Sequence, residues 1–154
     1  FYQFFDSKEE LYLAVLLAER DRIYGELTSA LSSAGTARTE VETMLRTLFA
    51  EVRSSPLTRR LFVDGEVRLV ESQLDGATRE DAAAGRLEAT LDRPGAWVAR
   101  DDFRLDDPAV VGGLFRSLLF VTQVQDTPLL PDGDYATIED RLIETVVDGL
   151  FVEA

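Results

Sequence analysis

Apolar residues in this chain recur at intervals of three and four, and nowhere do they alternate with polar ones. The segment Val41, Met44, Leu45, Leu48, Phe49, Val52 shows it best. Its spacing i, i+3, i+4, i+7, i+8, i+11 is one face of an amphipathic helix, and a strand cannot present these residues on one side. The same period returns along most of the chain, so the fold class is all-α.

The punctuation agrees with this. A first helix is expected over about 7–33, with Leu16, Ile23, Leu27 and Leu31 on one face and Tyr12 above them. At about 1.5 Å per residue it is roughly 40 Å long. Gly35 lies just beyond its end, where a left-handed C′ residue is common. A second helix opens between Thr36 and Thr39, with Thr39 and Glu42 in capping-box spacing, and stops at Ser54-Ser55 before Pro56. Pro56 suits the first turn of a short third helix ending near Val63. Weaker helical patterns cover about 66–74 and 78–91, and Arg93-Pro94-Gly95 should kink or break the chain before Trp97. An acidic loop over 100–107 ends in Asp107-Pro108, a cap followed by proline at the first helical position. The helix it starts reaches about Gln125, with Val111, Leu114, Phe115, Leu118 and Leu119 in one stripe, widened by Val110, Val121 and Val124. A Pro- and Gly-containing loop over 127–134 precedes a last helix over about 135–152. That helix carries two stripes: Ile138, Leu142, Val146 and Gly149, and Ile143, Val147, Leu150 and Phe151.

Composition removes several kinds of chemistry. The 154 residues suffice for one domain with a core. There is no Cys and no His. Disulfides, thiolate chemistry, Ser-His-Asp arrangements and most zinc sites are therefore excluded, and neither a metal nor a cofactor is expected. Carboxylates alone could serve a glycosidase or a hard cation, but Asp101-Asp102, Asp106-Asp107 and Asp132-Gly133-Asp134 lie where loop charges and helix caps are ordinary. No catalytic residues emerge, and the chain is not read as an enzyme. No apolar run approaches the roughly 18–20 residues of a membrane span. Gly112-Gly113 falls inside a helix and suits a close approach of two helices.

Large apolar and aromatic residues exceed what a small bundle needs. Phe49, Phe62, Trp97, Phe103, Phe115 and Phe120 fall on different helices. With Tyr24, Arg68, Glu71 and Gln123 they could line a mostly apolar pocket holding a few polar groups. For any one of them, a place in the core is the simpler role.

The start of the chain is distinctive. Four of the first five residues are aromatic, and the S-x-x-E pattern of Ser7 and Glu10 follows directly. Tyr2, Phe5, Ser7, Lys8, Glu9, Glu10 and Leu11 together resemble the TetR family of bacterial transcription regulators, in which a recognition helix ends in Tyr-x-x-Phe and a linker helix then begins. Phe4 and Asp6 depart from the residues usual there. The resemblance implies that 1–6 end the DNA-recognition helix of a helix-turn-helix domain whose remainder precedes Phe1. It implies that 7–154 form a ligand-binding and dimerisation domain, a TetR-like helical bundle with the last two helices as the dimer interface. The partners it implies are operator DNA, a small and mostly apolar ligand, and a second copy of the chain, in the cytoplasm and away from membranes. Tyr2 and Lys8 would then contact DNA phosphates, Lys8 being the only Lys among 16 basic residues. Tyr24, Phe49, Phe62, Trp97, Phe115 and Gln123 would bind ligand, and Val111, Leu118, Val121, Leu142, Val146, Val147 and Leu150 would form the dimer interface. A net charge of −13 fits a body repelled by the DNA backbone, so that DNA contact would need a separate basic part. A helical small-molecule-binding or dimeric interaction protein with no DNA role is the alternative.

Overall fold

Thr36 holds an extended backbone, φ −140° and ψ 157°, and its hydroxyl accepts from the Thr39 N–H at 3.1 Å. The Thr39 hydroxyl accepts in turn from the Thr36 N–H at 3.0 Å. This reciprocal pair satisfies two N–H groups that a helix start leaves without partners. It starts α2, Ala37–Ser54, three residues earlier than the Thr39–Glu42 pairing would have done. All six apolar positions of its sequence pattern are buried, Val41, Leu45 and Phe49 completely. Full burial of a side chain of that size stabilises by about 1.5–3 kcal/mol.

The computed structural model describes residues 8–64, 88–125 and 135–152, and α2 is the element against which the others pack. Before it runs α1, Lys8–Leu31, and after it α3, Pro56–Phe62. Ser55 ends α2 and caps α3, its Oγ accepting from the Thr58 N–H at 3.3 Å. Then come α4, Glu88–Val98, and α5, Pro108–Leu119, the latter capped by Asp107 with Pro108 in its first turn. A 3-10 turn, Phe120–Val124, extends α5, so the end of the expected helix is tightened rather than α-helical. The last helix, α6, is Tyr135–Leu150. Phe151 leaves it to form an isolated antiparallel bridge with Phe103, and the described residues are otherwise helices and their connections. The expected helix over 66–74, most of the one over 78–91, and the loop over 127–134 lie outside the described residues.

Helix α1 runs antiparallel to α2, with Arg22 opposite Glu51. Helix α6 is also antiparallel to α2: Arg38 pairs with Asp148, Arg46 with Asp140 and Arg53 with Glu139. The bundle therefore has a near end, holding the start of α1, the end of α2, α3 and the start of α6. Its far end holds the end of α1, the start of α2, residues 99–107 and Phe151. Among the described residues no helix is long and apolar enough to cross a membrane.

Of the kink or break expected at Arg93-Pro94-Gly95, the break does not occur: helix α4 runs through Pro94. Arg93 and Trp97, on either side of the proline, both donate to the Glu40 carboxylate, at 2.7 and 2.9 Å. Those anchors hold both flanking turns to α2 and offset the lost helical hydrogen bond. Gly112 and Gly113 do not bring two helices of this chain together among the described residues: a Cβ on either would meet nothing within 4 Å.

Candidate ligand and partner surfaces

The six residues expected to bind ligand are divided by the fold. Phe49, Trp97 and Phe115 are buried in the core, at 0, 1 and 5% exposure, and Trp97 and Phe115 pack with ring centroids 6.0 Å apart. The one polar atom of Trp97, its indole N–H, is already committed to Glu40. Tyr24 and Phe62 are half-buried against the same core, and Gln123 is exposed on the 3-10 turn. Phe103 stacks edge-on against Phe151 at 5.1 Å, and Phe120 is 49% exposed. Arg68 and Glu71 lie outside the described residues.

The polar groups gather instead at the near end. The inward stripe of α6 is Ile143, Val147 and Leu150, and it continues one turn back to Glu139, buried at 6% exposure. Arg53 on α2 pairs with that carboxylate, which offsets the cost of burying its charge. One further turn back is Tyr135. Its hydroxyl is covered and has no hydrogen-bond partner among the described residues. Burial, then the negative charge of Glu139, pushes the Tyr135 phenol up to about 12. Glu139 acts on it through charge, without hydrogen-bond geometry.

A second cluster joins α1 to the α2–α3 corner. Glu19 accepts from both the Nε and an amino group of Arg22, at 2.9 and 3.0 Å, from the Ser55 hydroxyl at 2.6 Å and from the Thr58 hydroxyl at 2.7 Å. Thr58 is completely buried. Arg22 also reaches Glu51, and the two carboxylates hold its guanidinium above its ordinary value. Arg22 first, with help from both hydroxyls, lowers the Glu19 carboxyl to about 2 against the desolvation it suffers. No local motif announces this cluster, because Ser55 and Thr58 are 36 and 39 residues from Glu19. Glu139 did leave a trace in the sequence, as the residue one turn before Ile143 on a stripe that reads as apolar.

The residues expected at a dimer interface also divide. Val111, Leu118, Val147 and Leu150 are buried within the single chain. Val121, Leu142 and Val146 are only half-buried. The open stripe of α6 is Ile138, Leu142, Val146 and Gly149, the first of the two stripes in the sequence. On α5 and its 3-10 turn, Val110 at 51% and Phe120 at 49% exposure lie beside half-buried Leu114 and Val121.

Of the residues expected to touch DNA, Tyr2 lies outside the described residues, and Lys8 is exposed at the start of α1. Among the described residues no group of three or more carboxylates is arranged to hold a metal ion. No protein-family model, curated protein or solved structure matches the chain.

Proposed function

We propose that this chain is the body of a ligand-responsive, DNA-binding transcriptional regulator, acting as a repressor. The observation that carries the reading is the run from Tyr2 to Leu11, with its aromatic spacing, helix cap and single Lys, leading into the 24-residue α1. Two features support it. Lys8 is exposed in the first turn of α1, where its ammonium can face a phosphate. The outward stripe of α6 and the exposed residues of α5 offer apolar surface to a second copy, and Gly113 and Gly149 leave room for a close approach. The ligand-sensing part draws on less: of its six expected residues, Tyr24 and Phe62 keep partial access within the bundle and Gln123 faces outward. The open stripes equally favour a dimeric interaction protein without a DNA role.

The test is a mobility-shift titration of the full-length protein on DNA flanking its own gene, repeated across salt concentrations. Lys8→Ala should weaken binding to all sequences alike and lower the salt slope by about one unit. Failure of the full-length protein to bind any duplex leaves the interaction-protein reading. Solution mass separates the assembly part: the 154-residue chain should run at twice 17.2 kDa and its Val146→Glu variant at 17.2 kDa.

A further inference from the structure

Helix α1 is anchored unevenly. Beyond Glu19, Ile23, Leu27 and Leu31 are buried at 0, 2 and 2% exposure. Before Glu19, Leu16 is the one buried residue among those described, and Tyr12, Leu13 and Leu17 are only half-covered. Glu19 stands at the change-over, with its carboxylate holding the corner formed by Ser55 and Thr58. A second polar contact, Arg60 to the Tyr12 hydroxyl at 3.0 Å, ties the other end of α3 to the same half of α1.

We infer that Glu19 is a positioning residue: its carboxylate latches α1 to the α2–α3 corner and sets the direction of the near half of the helix, while the apolar stripe beyond it only fixes the far half in place. The physical basis is the difference between the two kinds of contact. Apolar side chains packed in a groove tolerate small rotations with little loss of buried area, because the hydrophobic effect is non-directional. A carboxylate accepting from a guanidinium and two hydroxyls has a narrow range of good angles, and these charge-assisted bonds are the stronger ones. Misaligning them leaves the buried Thr58 hydroxyl without its acceptor. The latch thus admits one orientation where packing alone would admit several. Four residues supply it, Glu19 and Arg22 from α1, Ser55 from the corner and Thr58 from α3.

The leverage follows from length. Lys8 is eleven residues from Glu19, so a tilt of about 10° at the latch moves Lys8 by roughly 3 Å. The inference stands on the geometry of α1 alone. Under the regulator reading it adds where a bound ligand must act, since a ligand shifts the helix only by preferring one orientation over another.

The chain has no Cys, so spin labels can be placed singly. Exposed Glu10→Cys in the near half and exposed Glu26→Cys in the far half are each paired with exposed Thr145→Cys on α6. Labelled chains are diluted into unlabelled ones, so that only distances within a chain are read. Glu19→Ala should broaden the Glu10–Thr145 distribution and shift it by about 2 Å or more, leaving Glu26–Thr145 unchanged. Thr58→Val, which removes one donor and keeps the packing, should do the same more weakly. It carries the test, with Glu19→Gln, if Glu19→Ala does not fold. An unmoved Glu10–Thr145 distance in every folded variant overturns the latch. Equal broadening of both pairs overturns it too, because Glu19 would then only stabilise the bundle. These distances hold or fail independently of any DNA measurement, so the latch and the regulator reading can be lost separately.

Discussion

At the near end of the bundle, Glu19 gathers Arg22, Ser55 and Thr58, and Glu139 is held by Arg53. At the far end, Trp97 packs on Phe115, and Phe103 stacks on Phe151. The Phe103–Phe151 contact is strapped by backbone bonds, from the Arg104 N–H to the Leu150 carbonyl at 2.8 Å and from the Val152 N–H to the Asp102 carbonyl at 2.9 Å. The far end adds the Glu40 carboxylate, held by Arg93 and Trp97, to a larger buried apolar area, and the near end is built on ionised groups meeting at fixed angles. One end should respond most to lost volume, the other to lost charge and to acid.

The largest expected effect is at the far end. Trp97→Ala removes a completely buried ring and leaves Glu40 with only Arg93, so it should cost about 4 kcal/mol in urea unfolding. A loss of only about 1 kcal/mol would mean that the Glu40 hydrogen bond, and not the ring, supplied the stability.

Next is Glu19→Gln, which should cost about 1.5–3 kcal/mol at neutral pH, because a charged acceptor is exchanged for a neutral one. The folded-state value of Glu19 is lowered from 4.5 to about 2, so its stabilisation is complete above the unfolded value. It fades as pH falls from about 4.5 towards 2. Wild type and variant should therefore converge in stability across that window. A gap that persists at pH 2 would show that shape rather than charge holds the corner.

A smaller effect, of opposite sign, is expected at Tyr135. Tyr135→Phe removes a covered hydroxyl without a partner among the described residues and should stabilise the chain by about 1 kcal/mol. The folded-state phenol is raised from 10.0 to about 12, so the wild type loses stability as pH rises through that window. The variant should lose less stability than wild type between these values, as circular dichroism during alkaline titration would detect. Smallest is Asp148→Ala, whose side chain is 68% exposed where it meets Arg38. It should cost less than about 0.5 kcal/mol, and less still in high salt.

How far the sequence foretold these two ends follows from the distance over which each contact acts. The face of α2 was legible in full, because a period within one helix is local information. Asp107-Pro108 marked the start of α5 for the same reason. Both stripes of α6 were also visible, but which one turns inward was not. Glu139 sits on the buried stripe, and its partner Arg53 is 86 residues away. At Pro94 the helix does not break, because local propensity is overruled by two anchors on α2. The aromatics were identified as large and apolar, yet whether such residues fill a core or border a cavity is a property of packing. The Glu19 cluster, drawn from three helices, had no sequence period at all.

The pairing of Arg38 with Asp148 spans 110 residues. On a ribosome that adds about 5–20 residues per second, that separation is a wait of roughly 5–20 s. The α1–α2–α3 unit is built from neighbours in sequence and can form early in that interval. The side of α2 that α6 will cover stays open to water until α6 emerges. A nascent chain is therefore most exposed to wrong partners just before α6 appears, when the α1–α2–α3 unit is already folded and apolar on one side.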